Sequence, residues 1–190
     1  FKPSLYEVAT SEEPQKNIAI PMLEIFGNSI ELITSEIIKI DPKIQNIKLK
    51  NGKDISYDYL IIALGSEPAF YNIDGLREYS FPLKTAADGV KIKDKIHKLC
   101  DLNAAKEKEV HIVVGGGGFS GTELAAELSG YVHELAREHK ISPRLFNVCI
   151  IQGSEKLLKE LDSHVSDIAA KRLRKMGTEM VFGSHIKEVS

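Results

Sequence analysis

The segment Val113-Val-Gly-Gly-Gly-Gly-Phe-Ser-Gly121 constrains this chain more than any other. A short apolar run at residues 110–114 leads into it, and a long stretch with apolar residues at helical spacing leads out. Within it, Gly116, Gly118 and Gly121 stand at GxGxxG spacing, and each glycine has its own task. Gly116 allows the tight turn out of a strand. Gly118 lets the backbone approach a diphosphate with no Cβ in between, and Gly121 lets the helix lie close on the strand. The helix N-terminus then offers unpaired N–H groups and a partial positive charge. Gly116, Gly117, Gly118, Phe119, Ser120 and Gly121 are therefore expected to cradle the pyrophosphate of a dinucleotide. Without a strand before and a helix after, the same glycines would read as a flexible turn.

The residues beyond the loop extend this pattern. Ala125, Leu128, Val132 and Leu135 recur at helical spacing on a helix that must stop before Pro143. Residues 146–151 read as a second apolar strand. Asp162 or Ser163 can cap a further helix with an apolar stripe of Val165, Ile168, Ala169, Leu173 and Met176, stopped by Gly177. A third strand begins at residues 180–182. This alternation predicts an α/β, Rossmann-like parallel sheet that is incomplete within these residues. Gln152 falls at the end of the second strand, where the fingerprint places an acid for the ribose hydroxyls. Glutamine can donate or accept there but carries no charge to repel a 2′-phosphate. NADH is the expected nucleotide, with Glu155 either a stand-in for the missing acid or an exposed loop residue. Glu123 is expected in the first turn of the first helix, favoured by the helix dipole or placed near the nicotinamide.

The first half reads as β-rich. Apolar stretches at residues 29–40, 44–50 and 57–64 are separated by Asp41-Pro42 and Asn51-Gly52, both turn formers. The third stretch ends at Gly65 and is apolar enough to predict a strand buried on both faces. A loop follows to Pro82. Thr85 with Asp88 predicts a capping box opening a helix to about Leu99, weakened by Gly89. Charged residues 106–109 mark a domain boundary. Cys100 and Cys149 form neither a CxxC pair nor a metal spacing, and Cys149, in a strand pattern, is expected in the core. The six histidines show no metal spacing, and a formal net charge of -2 gives no reason to expect nucleic acid.

Several further segments match one family. Phe1-Lys-Pro-Ser-Leu-Tyr-Glu-Val-Ala9, Tyr57-Asp-Tyr-Leu-Ile-Ile-Ala-Leu-Gly-Ser66, Phe81-Pro-Leu-Lys-Thr85, Gly115 to Leu128 with Glu123, and Leu157-Leu158 with Asp162 together resemble the membrane-associated type II NADH dehydrogenases. These are NADH:quinone oxidoreductases among the flavoproteins with two dinucleotide-binding domains. The resemblance implies that residues 1–105 are the β-rich part of an FAD-binding domain with its connecting helix. Residues 106–190 would be the first part of an NADH-binding domain. It implies FAD and NADH as cofactors, a quinone as acceptor, and FAD contacts at Val8, Ala9, Ile37, Ala63 and Gly65. Leu64 stands where the family has a threonine. The hydride and electron chemistry would belong to the cofactors, so no catalytic side chain and no metal is expected.

The same resemblance places the FAD-phosphate loop before Phe1. It places the remaining strands, the second FAD motif and the membrane-contacting tail after Ser190. The segment alone is then expected to turn over little. The intact protein would be cytoplasmic or peripheral on the cytoplasmic face of a membrane. Open sheet edges could pair with a second copy as a homodimer. Two other readings stay open: a dinucleotide-binding module without turnover, and a flavoprotein like the sulfide:quinone reductases. Thiol-disulfide reductases would need a cysteine pair that the chain lacks.

Overall fold

The computed structural model describes residues 5–11, 19–104 and 108–190, with the side chains of 103 and 104 left aside. In chain order the helices are α1 (Leu5–Thr10), α2 (Met22–Phe26), α3 (Leu76–Tyr79), α4 (Ala86–Ala104), α5 (Phe119–Glu138) and α6 (Ser163–Lys175). The strands are β1 (Ile37–Asp41), β2 (Asn46–Leu49), β3 (Asp54–Ser56), β4 (Val110–Gly115), β5 (Phe146–Gln152) and β6 (Glu179–Phe182). The chain divides into two compact units, one of residues 20–67 and one of residues 1–19 with 68–190. The charged junction expected at residues 106–109 falls partly outside the described residues.

In the larger unit β4, β5 and β6 form a parallel sheet in that order, with Val110 opposite Phe146 and Gln152 opposite Phe182. The expected strand–helix alternation is present nearly to the residue. Residues two apart along a strand share a face, and one face of this sheet meets α5. Val110, Val114, Phe146, Val148 and Ile150 bury that face against Ala125, Leu128, Val132 and Leu135 of α5. Val113, Cys149 and Ile151 alternate onto the other face, where Val113 is exposed and the other two are half-buried. Cys149 is thus not a core residue, because the strand period turns it away from the helices. Cys100 on α4 is the fully buried cysteine, and burial pushes its thiol up to about 11.

The α6 helix corrects a second expectation. The side chain of Asp162 accepts from the His164 N–H at 2.8 Å, and Gly177 ends the helix at φ +84°. Its buried face, however, is Ser166, Ala170 and Leu173, while Val165 and Ile168 are exposed. Ser166 Oγ donates to the Leu157 carbonyl at 2.8 Å, and this buried bond rotates the helix relative to its apolar stripe.

The capping box is complete. Thr85 N–H donates to Asp88 Oδ2 at 2.9 Å, and Asp88 N–H donates to Thr85 Oγ1 at 3.2 Å. The helix runs past Leu99 to Ala104. Gly89, unfavourable for a helix taken alone, is where α1 crosses α4. A Cβ built there would lie 2.8 Å from Val8 Cβ. Tertiary contact overrides propensity at that position.

In the smaller unit β1, β2 and β3 form an antiparallel meander. Both predicted turns are present: Lys43 N–H donates to Asp41 Oδ1 at 3.2 Å, and Gly52 takes φ +85°. The stretch at 29–40 becomes a strand only from Ile37. Residues 57–64 form no strand, and Tyr59, Ile61 and Leu64 are 95%, 89% and 80% exposed. A strand needs neighbours to accept its ladder hydrogen bonds, and none of the described residues lies alongside. Among the described residues, no helix is long and apolar enough to cross a membrane.

Candidate dinucleotide-binding site

The glycine loop joins β4 to α5 and is fixed by main-chain and side-chain hydrogen bonds to its peptide groups. Gly116 leaves the strand at φ +104°, a conformation that side chains disfavour, while its N–H still donates to the Ile151 carbonyl at 2.8 Å. A Cβ built on Gly121 would lie 1.9 Å from the Gly116 carbonyl oxygen, so the helix sits on the turn with no room for a methyl group. Gly117 is held on both sides of its peptide units. Its N–H donates to Gln152 Oε1 at 2.9 Å, and its carbonyl accepts from the Leu158 N–H at 2.7 Å and from Thr122 Oγ1 at 3.4 Å. A Cβ there would meet Leu157 Cδ2 at 2.7 Å.

Gly118 differs from its neighbours, since nothing lies within 4 Å of a Cβ built on it. It precedes α5 without a side-chain cap, and its carbonyl accepts the Thr122 N–H at 2.9 Å. Among the described residues, nothing accepts the N–H groups of Gly118, Phe119, Ser120 or Gly121. Helix N-terminal donors in open space at the positive end of a 20-residue helix fit an anionic diphosphate.

The remaining expected residues fall as follows. Gln152 does close β5, as predicted, but its carbonyl oxygen is turned back onto the loop. Its Nε2 donates to Ser154 Oγ at 2.6 Å. Glu123 is the fifth residue of α5, not in its first turn, because the helix begins two residues before the last glycine. It is exposed, and the Tyr6 phenol of α1 is pushed up by burial first, then by Glu7, and then by the charges of Glu123 and Glu127. Val8 and Ala9 are buried where α1 meets α4 and α5. In the other unit, Ile37 opens β1 and is exposed, Ala63 is exposed, and Gly65 takes φ +78°.

Sequence reasoning missed Leu158. This leucine holds φ +48°, a left-handed conformation disfavoured for a side chain, and that conformation aims its N–H at the Gly117 carbonyl. The Leu157-Leu158 pair was visible, but no periodicity announces a main-chain donor.

Residues 1–190 match the model of a family described as pyridine nucleotide-disulphide oxidoreductase. The chain belongs to that family. Among its relatives, the demethylphylloquinone reductase NdbB of Synechocystis sp. is 34% identical over 142 residues, covering 72% of this chain and 34% of that protein. The type II NADH:quinone oxidoreductase of Staphylococcus haemolyticus is 25% identical over 187 residues, covering 96% of this chain and 46% of that protein. The solved structure of NDH2 from Plasmodium falciparum in complex with NADH superposes with a TM-score of 0.83 at 21% identity. All of this chain and 42% of that one are covered. The chain therefore spans a third to a half of the length of these family members, and the last likeness shows the shared α/β fold.

Proposed function

We propose that this chain carries the NADH site of a flavoenzyme that oxidises NADH, reduces FAD and delivers electrons to a quinone. The observation that carries the reading is the row of unpartnered N–H groups from Gly118 to Gly121 around an open Gly118. Gly118, Phe119, Ser120 and Gly121 would bind the pyrophosphate, with Gly116 and Gly117 holding the turn and Gln152 fixing Gly117. Glu123 would lie toward the nicotinamide. The bound nicotinamide and flavin supply the hydride chemistry, while the protein binds and orients them.

Residues 1–105 are assigned to an FAD domain and 106–190 to an NADH domain. The flavin contacts implied by the motif match are Val8, Ala9, Ile37, Ala63 and Gly65. Support for these five comes from the motif match. The left-handed Gly65 adds to it, whereas the buried side chains of Val8 and Ala9 leave only their backbone to offer. The quinone acceptor is supported by the quinone reductases among the relatives; peripheral membrane association and a homodimer are part of the same proposal.

The test is spectroscopic. The intact protein should purify with bound flavin whose visible absorbance bleaches on adding NADH and returns on adding quinone. A colourless intact protein that stays indifferent to NADH after flavin is supplied would end the reading.

A further inference from the structure

The glycine loop rests against residues 156–162, a segment that follows β5 and leads into α6. Leu158 N–H donates to the Gly117 carbonyl at 2.7 Å from a backbone held at φ +48°. A leucine resists this left-handed conformation, because its Cβ crowds the carbonyl oxygen that follows. Its neighbours hold it there. The Leu158 carbonyl accepts the Leu161 N–H at 2.8 Å, and Lys156 Nζ donates to the Leu161 carbonyl at 3.2 Å. From α6, Ser166 Oγ donates to the Leu157 carbonyl at 2.8 Å, and both residues are fully buried.

This arrangement fixes the direction of one peptide group. The Gly117 carbonyl and the Gly118 N–H belong to the same peptide, and no peptide bond among the described residues is cis. In a planar trans peptide the two groups point opposite ways. With its carbonyl turned onto Leu158, the peptide aims the Gly118 N–H away from the 156–162 segment, and no described residue accepts it. The reversed peptide would set a carbonyl oxygen there instead, at the head of α5. An oxygen in that place repels a diphosphate, whereas an N–H donates to it.

The loop's own sequence does not choose between the two directions. Turning this peptide changes ψ of Gly117 and φ of Gly118, and glycine tolerates both. Gln152 does not choose either, because it binds the Gly117 N–H, which belongs to the preceding peptide. Thr122 Oγ1 reaches the Gly117 carbonyl only at 3.4 Å. The geometry points to Leu158, propped by Ser166, as the positioning residue that keeps the 117–118 peptide with its donor outward for an anionic diphosphate. Its unfavourable backbone persists because the surrounding bonds over-determine it. This inference rests on the glycine loop holding the pyrophosphate, and adds to that site a residue outside the loop.

Calorimetric titration of the full chain with ADP-ribose, with urea unfolding of the same variants, tests it. Leu158→Ile keeps the apolar volume, but its branched Cβ resists the left-handed backbone. Leu158→Gly loses the side chain and adopts that backbone freely. A leucine that only fills space would make the isoleucine variant the better binder. The positioning role reverses that order: Leu158→Gly should be the less stable of the two, yet bind ADP-ribose more than about fivefold tighter. Ser166→Ala should weaken ADP-ribose by more than about threefold. Ala170→Gly, which weakens α6 without removing a side-chain hydrogen bond, should leave the affinity within about twofold. An isoleucine variant that binds as tightly as the glycine one overturns the positioning role and leaves the pyrophosphate site standing. So does a loss in Ser166→Ala that Ala170→Gly matches. A parent chain that binds no ADP-ribose overturns the pyrophosphate site and the positioning role with it.

Discussion

The two units treat apolar residues in opposite ways. The larger unit closes a core around its own strands and helices, with Leu128, Leu135, Ile150 and Leu157 all essentially inaccessible. The meander buries Ile47 and Leu49 and leaves Ile61, Leu64 and the apolar side chains of α2 in contact with solvent. Both segments are rich in apolar residues, so composition does not separate them. What separates them is whether each strand finds its neighbours within the same stretch of chain. A βαβ unit contains its own partners, while residues 57–64 have the sequence of a buried strand without one among the described residues.

The comparison breaks most readily at the core. Leu128→Ala should cost about 3 kcal/mol in urea unfolding, whereas Ile61→Ala should fall within about 0.5 kcal/mol of the parent. Equal losses would mean that the meander is packed as firmly as the sheet. The glycine loop sharpens the contrast within one unit. Gly121→Ala must displace the Gly116 carbonyl and should destabilise by about 2 kcal/mol. Gly118→Ala meets no atom within 4 Å, should leave stability within about 1 kcal/mol, and should still weaken ADP-ribose binding by more than about tenfold. A Gly118→Ala variant with unchanged affinity would remove the diphosphate from that place.

Smaller effects follow at the α4 cap. Thr85→Ala should cost about 1 kcal/mol of stability. The Asp88 carboxyl is opposed by burial, but hydrogen bonds from Thr85 and from the Lys84 backbone hold it below the ordinary carboxylate range. Its contribution is therefore present above the unfolded-state value and is lost as pH falls through the folded one. Asp88→Asn should flatten the acid limb of a stability–pH curve, and an unchanged limb would discount the box. The smallest effect concerns the thiols. Buried Cys100 should resist alkylation in the native protein, while Cys149, raised by burial and by Glu179 but lying on the open sheet face, should react first.

The larger unit was legible because its signals are local. The GxGxxG spacing, the Ala125–Leu135 periodicity, Asp162 and Gly177 each act within a turn or two of themselves. Expectations failed where a partner distant in sequence decides the outcome. Gly89 looked like a helix defect until Val8 was seen against it. Val165 and Ile168 looked like core until Ser166 found the Leu157 carbonyl. Cys149 looked buried because a parallel strand's period does not say which of its faces the helices take. At the candidate site the glycines were readable and the Gln152 position was readable, but the turn of its amide back onto Gly117 was not.

The Gly117 peptide, pinned by Gln152 on one side and Leu158 on the other, has a kinetic consequence. Its neighbours' N–H groups already point outward before any nucleotide arrives, so capture needs no rearrangement of the loop. Little ordering entropy is then lost on binding, and encounter rather than conformational change should limit the association rate. Loosening the pin would show first as slower capture, with the strength of each contact in the final complex unaltered.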